Sequence, residues 1–174
     1  MATRSYTSRR ELDEHTFHPA VALLVPIGFI VLQALLPKPF PRLAILDLPL
    51  IATIFFAVSR RSPIAGTFTG MVIGLLQDAL TNQPIGVNGM AKALIGYSAA
   101  SIGFKVDVDS ITTRAVMSFG FFLLQSLLLY MIRRHLLDMH GFQVLWGHEL
   151  LRAAVNTVAA IPIFLLLDHT KMRE

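Results

Sequence analysis

Six apolar stretches, separated by short polar segments, make up most of the chain. A helix needs about 20 predominantly apolar residues to cross a bilayer, and each stretch has close to that length. They cover approximately residues 19–36, 43–59, 62–80, 84–104, 115–132 and 150–167. The pattern predicts an all-α integral membrane protein, a bundle of six transmembrane helices. We expect one membrane domain at 19–168, between short tails at 1–18 and 169–174.

The third stretch contains Gly66, Gly70 and Gly74 at four-residue spacing, followed by Gln77 and Asp78. Four residues advance a helix by about 400°, so these positions lie along one side of it. In lipid, a line of small residues lets the backbone of another helix approach closely. We therefore expect this side of the third helix to be packed inside the protein.

The fourth stretch also has glycines at regular spacing, seven residues apart: Gly89, Gly96 and Gly103. Only residues 81–83 connect it to the third stretch, which makes the two helices natural antiparallel neighbours. An internal contact between them is therefore favoured over dimerisation through the glycines. We expect this pair to form the inside of the bundle, with the bulkier helices around it.

The composition is that of a protein whose main solvent is lipid. Hydrophobic residues make up 54% and charged residues 15% of the 174 positions, whereas soluble domains contain about 25% charged residues. The absence of cysteine excludes disulfides and cysteine-based metal sites. The formal net charge is +4, but no basic segment is long enough to form a nucleic-acid surface. We expect contact with the lipid bilayer and not with nucleic acid.

The distribution of basic residues predicts the orientation. Those near the N-terminus are mixed with acidic residues and no cleavage site follows the first stretch, so we expect an uncleaved helix rather than a secretory signal. An even number of crossings places both termini on one side of the membrane. That side receives more of the Lys and Arg residues, so the positive-inside rule predicts cytoplasmic termini.

Charged residues within apolar stretches are candidates for ligand or proton sites, because burying them in lipid is costly. Asp78, beside Gln77, lies about 24 Å along its helix and so near the far interface, which favours a hydrogen-bonded structural carboxylate over a proton site. Asp47 lies close to a helix start, where the helix dipole stabilises negative charge. Lys92 is within reach of Asp78 if the third and fourth helices pair antiparallel. We expect that ion pair to fix the register of the two helices.

A polar stripe marks the start of the sixth helix. Arg152 and Asn156 lie one turn apart, with Glu149 one turn earlier. The arginine can extend to the lipid head groups. For Asn156 we expect a hydrogen bond to another helix rather than a catalytic role.

Two patterns resemble chemical sites only superficially. The segment between the fifth and sixth stretches contains His135, Asp138, His140 and His148, but their spacing matches no zinc-binding pattern. Residues 96–99 fit the G-x-S-x pattern of intramembrane serine proteases, yet no apolar stretch contains a histidine that could serve as the base. We expect no metal, no cofactor and no enzymatic activity.

The order of several short segments points to a family. In chain order they are Leu46-Asp47-Leu48, Arg60-Arg61, Gly66, Gly70, Gly74-Leu75-Leu76-Gln77-Asp78, Ile85-Gly86-Val87-Asn88 and Gly96-Tyr97. Together with the length, the six stretches and the polar stripe of the sixth, this ordered set resembles the MreD family of bacterial rod shape-determining membrane proteins.

The resemblance implies a non-enzymatic component of the cell-elongation machinery in the bacterial inner membrane. MreD-like proteins associate with MreC, a bitopic periplasmic protein. They act indirectly with the MreB cytoskeleton, the RodA glycosyltransferase and a class B penicillin-binding protein in peptidoglycan synthesis. The resemblance also implies a fold similar to the six-helix substrate-binding subunits of energy-coupling-factor vitamin transporters.

The leading hypothesis is therefore a membrane scaffold that docks the transmembrane helix of an MreC-like partner on its bulkier outer helices. The alternative is a binder of a small molecule or lipid-linked precursor, similar to the vitamin-transporter subunits. Its pocket would be lined by Asp78, Asn88, Lys92 and Arg152. A third class, an intramembrane phosphatidyltransferase, needs several clustered acids for metal ions, whereas the apolar stretches hold only Asp47 and Asp78.

Overall fold

The computed structural model describes residues 19–36, 39–103, 106, 110–138 and 145–169, which form a bundle of six α-helices. The helices are α1 (Pro19–Leu35), α2 (Leu48–Arg60), α3 (Pro63–Leu80), α4 (Val87–Gly103), α5 (Ile111–Met131) and α6 (Trp146–Asp168). The predicted all-α class is confirmed. A 3₁₀-helix, Pro41–Ile45, precedes α2, and a π-helical turn, Ile132–Leu136, extends α5. Both α5 and α6 begin about one turn earlier than the apolar pattern predicted.

The helix α2 is shorter than the apolar stretch that contains it. The stretch begins at residue 43, whereas the helix begins only at Leu48, so Asp47 lies at the transition from loop to helix. Asp47 caps it: the carboxylate accepts a hydrogen bond from the N–H of Leu50 at 3.1 Å. Pro49 is well suited to the first turn, since it has no N–H to satisfy there. Asp47 thereby lies at the very end of the helix and is only 2% exposed.

The innermost helix of the bundle is α2. It has 13 residues, about 20 Å at 1.5 Å per residue, which is shorter than the hydrocarbon core of a bilayer. Only Val58 and Arg60 within it are not buried, and it contacts each of the other five helices. A helix that is apolar on all sides belongs in the interior. The expectation that α3 and α4 form the inside is therefore corrected, since both pack on α2 from outside.

The helices α3 and α4 pack backbone to backbone at their glycines. Each glycine of α3 faces a carbonyl of α4: Gly66 with Gly96, Gly70 with Lys92, and Gly74 with Asn88. A Cβ atom added to Gly70 would lie 2.0 Å from the carbonyl oxygen of Lys92, and one added to Gly96 would lie 2.1 Å from that of Gly66. Because no side chain fits at such distances, the glycines define this contact.

The other two glycines of α4 have different surroundings. A Cβ atom at Gly89 would lie 3.0 Å from the side chain of Leu75, which is flexible at that point. At Gly103 it would lie 3.0 Å from the carbonyl oxygen of Val58 in α2. Gly103 therefore permits the approach of α4 to α2 rather than to α3.

Within the part of the chain that the structure describes, three helices are long and apolar enough to cross a membrane: α3, α5 together with its π-helical turn, and α6. On the side away from its glycines, α3 exposes Ile64, Phe68, Val72 and Leu76 at four-residue spacing. A continuous exposed apolar surface of this kind is typical of contact with lipid or with another protein.

The two ends of the bundle differ in polarity. At one of them α1, α3 and α5 finish and α2, α4 and α6 begin. This end contains Asp47, Asp78 and Arg152, and we call it the polar end. At the opposite end, Arg114 of α5 forms an ion pair with Asp168 of α6.

Candidate functional site

A buried ion pair lies at the centre of the polar end. The Nζ atom of Lys92 is 3.4 Å from Oδ1 of Asp47, with side-chain exposures of 0% and 3%. Lys92 also donates a hydrogen bond to Oε1 of Gln125 at 3.1 Å. The amide of Gln125 in turn donates to Oδ2 of Asp47. These three side chains therefore join α2, α4 and α5 in a closed triangle of polar contacts.

The expected pairing of Lys92 with Asp78 is corrected by this geometry. The carbonyl oxygen of Lys92 lies against Gly70 of α3, while its side chain reaches α2 and α5. Asp78 lies further towards the end of the bundle, where α3 joins the connection to α4. The side chain of Lys92 therefore meets the acid that caps α2 and not the acid that ends α3.

Asp78 organises the connection between α3 and α4. Its Oδ2 accepts hydrogen bonds from the backbone N–H groups of Gly86 at 2.9 Å and Asn88 at 3.0 Å, and a longer one from Gly89 at 3.4 Å. Its Oδ1 accepts from the side-chain amide of Asn88 at 2.7 Å. Gly86 has a φ of 103°, a conformation that favours glycine. The buried carboxylate thus satisfies the free N–H groups at the start of α4, where the helix dipole also favours it.

A second cation and a second acid extend the network to α6. Arg152 lies 3.4 Å from Oδ2 of Asp47 through Nη2 and 3.8 Å from Oε2 of Glu149 through Nη1. Glu149 accepts a hydrogen bond from Ser126 of α5 at 2.5 Å. The charges of Asp47 and Glu149 balance those of Lys92 and Arg152. This balance matters because an unpaired charge inside a membrane protein is costly.

Asn156 joins α6 to the segment before α2. Its Oδ1 accepts the backbone N–H of Asp47 at 2.7 Å. Its Nδ2 donates to the carbonyl oxygen of Ile45 at 2.8 Å. The side chain is fully buried, and its hydrogen bonds satisfy one backbone donor and one backbone acceptor of this segment. Asn156 therefore holds the 3₁₀-helix and the capping residue of α2 in place.

The polar end also opens into a polar cleft of about 610 Å³. Gln77, Asn88, Arg133 and Arg152 line it, together with Asp47. A second cleft, about 540 Å³ in volume, is lined by other residues of the same end and also by Arg152. The structure therefore brings all seven predicted polar residues together at this end. Asp47, Gln77, Asn88 and Arg152 line the cleft, while Asp78, Lys92 and Asn156 contact residues that line it.

Two network residues, Gln125 and Ser126, were not identified from the sequence. The only signal for them is a pair of polar residues in an otherwise apolar run of α5. Both are buried. In lipid, an isolated polar side chain on an apolar helix generally finds a hydrogen-bond partner on another helix, which is the role that both residues have.

The candidate metal ligands are dispersed where the structure describes them. His135 lies in the π-helical turn and His148 in the first turn of α6, while His140 falls outside the described residues. Within the described ranges, no three His, Cys, Asp or Glu side chains are grouped so as to hold a metal ion. The hydroxyl of Ser98, from the G-x-S-x pattern, donates to the carbonyl oxygen of Leu94 one turn earlier at 2.8 Å.

Fold and site together define a class: a helical membrane protein whose buried charges are paired at one end of the bundle. The chain belongs to the family of the rod shape-determining protein MreD, whose family model matches residues 16–170. Searches among curated proteins and among solved structures gave no significant match. The similarity to vitamin-transporter subunits therefore stays a prediction.

Proposed function

We propose that this chain is a non-enzymatic scaffold of the bacterial cell-elongation complex, which binds the transmembrane helix of an MreC-like bitopic partner. Through that partner it acts with the MreB cytoskeleton, RodA and a class B penicillin-binding protein in peptidoglycan synthesis. The observation that carries the proposal is the family match over residues 16–170. In support, Asp47, Asp78 and Lys92 use their polar atoms for contacts between the helices.

The proposed topology has six crossings of the inner membrane and two cytoplasmic termini. The lengths of α3, α5 and α6 fit a bilayer directly. The 17 residues of α1 and of α4 give about 25 Å each, close to the thickness of the hydrocarbon core. The shorter α2 is compatible with this topology because it is enclosed by other helices and does not have to match the lipid. The polar end then faces the periplasm.

We place the partner helix on the outer side of α5. The glycines of α3 and α4 face each other, so those surfaces are already occupied. On α5, Val116, Leu127 and Met131 are exposed, and the exposed Gly120 lies on the same side of the helix, with nothing within 4 Å of a Cβ atom added to it. An exposed glycine between apolar side chains allows the backbone of another helix to approach closely.

Copurification and crosslinking test this proposal. We expect the chain to copurify with an MreC-like protein in mild detergent, and its deletion to convert rod-shaped cells into rounded ones. A photo-crosslinking residue at Val116 or Leu127 should capture the partner, while one at Val72 on the exposed side of α3 serves as the matched control. Failure to copurify with unchanged cell shape would refute the scaffold. Capture from Val72 alone would move the docking surface to α3.

A variant of Gly120 separates docking from folding. Gly120→Leu places a large side chain on the proposed docking surface and meets no atom of the chain within 4 Å at its Cβ. We expect the variant to fold with normal yield and to lose most of the partner. Undiminished copurification would contradict the placement on α5.

A further inference from the structure

The polar cleft contains a buried acceptor without a donor. Gln77 lines the cleft and is only 8% exposed. Its Oε1 is buried and accepts no hydrogen bond from any residue that the structure describes. A buried polar group without a partner costs free energy, about 1–3 kcal/mol. Because Gln77 itself lines the cleft, a rotation of its side-chain amide brings this acceptor to a ligand that supplies a hydrogen-bond donor.

The charged side chains of the cleft indicate that the ligand carries an anionic group as well as the hydrogen-bond donor. Two guanidinium groups, those of Arg133 and Arg152, line it together with one carboxylate, that of Asp47. The carboxylate is compensated by Lys92 at 3.4 Å, and Arg152 also lies 3.8 Å from the carboxylate of Glu149. The guanidinium of Arg133 adds a further positive charge to these two balanced pairs. The exposed Arg42 borders the neighbouring cleft, which shares Arg152 with the first. Guanidinium groups gathered in this way match the geometry of a phosphate.

An apolar groove runs along the bundle towards the same cleft. It has a volume of about 250 Å³ and lies between α1 and α3, lined by residues that include Leu23, Ile27, Phe68 and Val72. The two helices run in the same direction. On α3 the polar cleft begins at Gln77, directly after Leu76 of the groove, and on α1 it begins at Gln33, about two turns beyond Ile27 of the groove. The apolar groove, which runs along the membrane, therefore leads towards the polar cleft, which lies at the membrane surface.

We propose that this combined site binds a phospholipid of the surrounding bilayer whose head group carries both a phosphate and hydroxyl groups, as in phosphatidylglycerol. The phosphate lies at Arg133 and Arg152, a head-group hydroxyl donates to Oε1 of Gln77, and an acyl chain occupies the groove between α1 and α3. The proposal does not depend on the scaffold function, because it rests on the cleft and the groove alone.

Native mass spectrometry of the full chain, delipidated in detergent, tests the choice of lipid. We expect phosphatidylglycerol to bind about tenfold more tightly than phosphatidylcholine with the same acyl chains, because the choline head group has a phosphate but no donor. Equal binding of the two lipids would overturn the proposal. So would tighter binding of a polyprenyl phosphate, which lacks the hydroxyl groups, or equal binding of soluble glycerol phosphate, which has no acyl chain.

Two head-group variants locate the site. We expect Arg133→Gln to weaken phosphatidylglycerol binding about tenfold, whereas Arg60→Gln, the same change at the opposite end, leaves it unchanged. Gln77→Leu removes the unpaired acceptor, so it should raise the melting temperature of the lipid-free protein and reduce the further rise that phosphatidylglycerol produces. A purely structural glutamine would not give that combination. Binding unaffected by both Arg133→Gln and Gln77→Leu would overturn the proposal.

A matched pair of valine variants tests the groove. Val72→Trp fills the groove between α1 and α3, while Val158→Trp adds the same side chain to an exposed position of α6. We expect only the first to displace the lipid. If both variants retain phosphatidylglycerol as well as the unmodified protein does, the acyl chain lies elsewhere and the proposed site is wrong.

Discussion

Lys92 of α4 and Asp47 at the start of α2 form an ion pair, 3.4 Å between Nζ and Oδ1, that is almost completely removed from solvent. The two residues belong to helices that are not consecutive, and Gln125 of α5 contacts both. A buried ion pair of this kind contributes little net stability but is very sensitive to the loss of one partner, because the other charge is then left alone. The ion pair therefore specifies which helices pack together and in which register.

Removing Lys92 alone should therefore be more damaging than removing the whole pair. We expect Lys92→Met to lower the free energy of unfolding by about 3–5 kcal/mol, because the carboxylate of Asp47 loses its main counter-charge. Asp47→Asn keeps a residue that caps a helix well. The double variant Asp47→Asn/Lys92→Met should recover part of the loss. Reversible unfolding in detergent measures the four species of this cycle, and strictly additive losses would contradict the ion pair.

The glycine contact between α3 and α4 predicts a defect of folding rather than of partner binding. In Gly70→Ala the new Cβ would lie 2.0 Å from the carbonyl oxygen of Lys92, so the two helices have to separate. We expect a large loss of monodisperse protein and of thermal stability. Gly120→Ala on α5 is the matched control, since nothing lies within 4 Å of its Cβ; it should be neutral or slightly stabilising. A well-folded Gly70→Ala protein that loses only its partner would show that the glycines form an external interface.

The difference between these two contacts explains how much the sequence could predict. Glycines at four-residue spacing lie on one side of a helix whatever surrounds it, and a short connection brings the next helix alongside, so the α3–α4 contact follows from local pattern. The partner of Lys92 does not follow from local pattern. Its identity depends on the position of α2 between the other helices, because the network joins residues as distant in the chain as Asp47 and Gln125, which are 78 residues apart.

The sequence contains a sign that α2 lies at the centre of the bundle, but the length of its apolar stretch hides it. The stretch from residue 43 to 59 has nearly the length of a membrane crossing, but Asp47 and Pro49 start the helix only at Leu48. The remaining 13 residues fall in the range typical of a buried core helix. Capping residues, rather than hydropathy, therefore distinguish the enclosed helix from those that face lipid.

Asp78 should be essential for the stability of the connection between α3 and α4. We expect that Asn at this position cannot replace it. Asn has one acceptor oxygen, and its amide donors would face the N–H groups of Gly86 and Asn88, which now donate to the carboxylate. We expect Asp78→Asn to lower the free energy of unfolding by about 2–3 kcal/mol, since hydrogen bonds to charged groups are the stronger ones. Asn88→Ala removes only the side-chain donor of the same cluster and should cost less. Unchanged stability and partner binding in Asp78→Asn would show that the carboxylate has no structural role.

Asn156 should control the order of the segment before α2 without affecting the rest of the bundle directly. It accepts from the N–H of Asp47 and donates to the carbonyl of Ile45. In Asn156→Leu both backbone groups lose these partners, which we expect to cost about 1–3 kcal/mol. Thr157→Ala is the neighbouring control, because that hydroxyl donates only to the carbonyl of Ala153 in its own helix. Hydrogen exchange of the amides at residues 43–51 should accelerate in Asn156→Leu and stay unchanged in Thr157→Ala. Equal exchange in both variants would mean that α6 does not hold the start of α2, and that the ion pair of Asp47 with Lys92 positions the segment unaided.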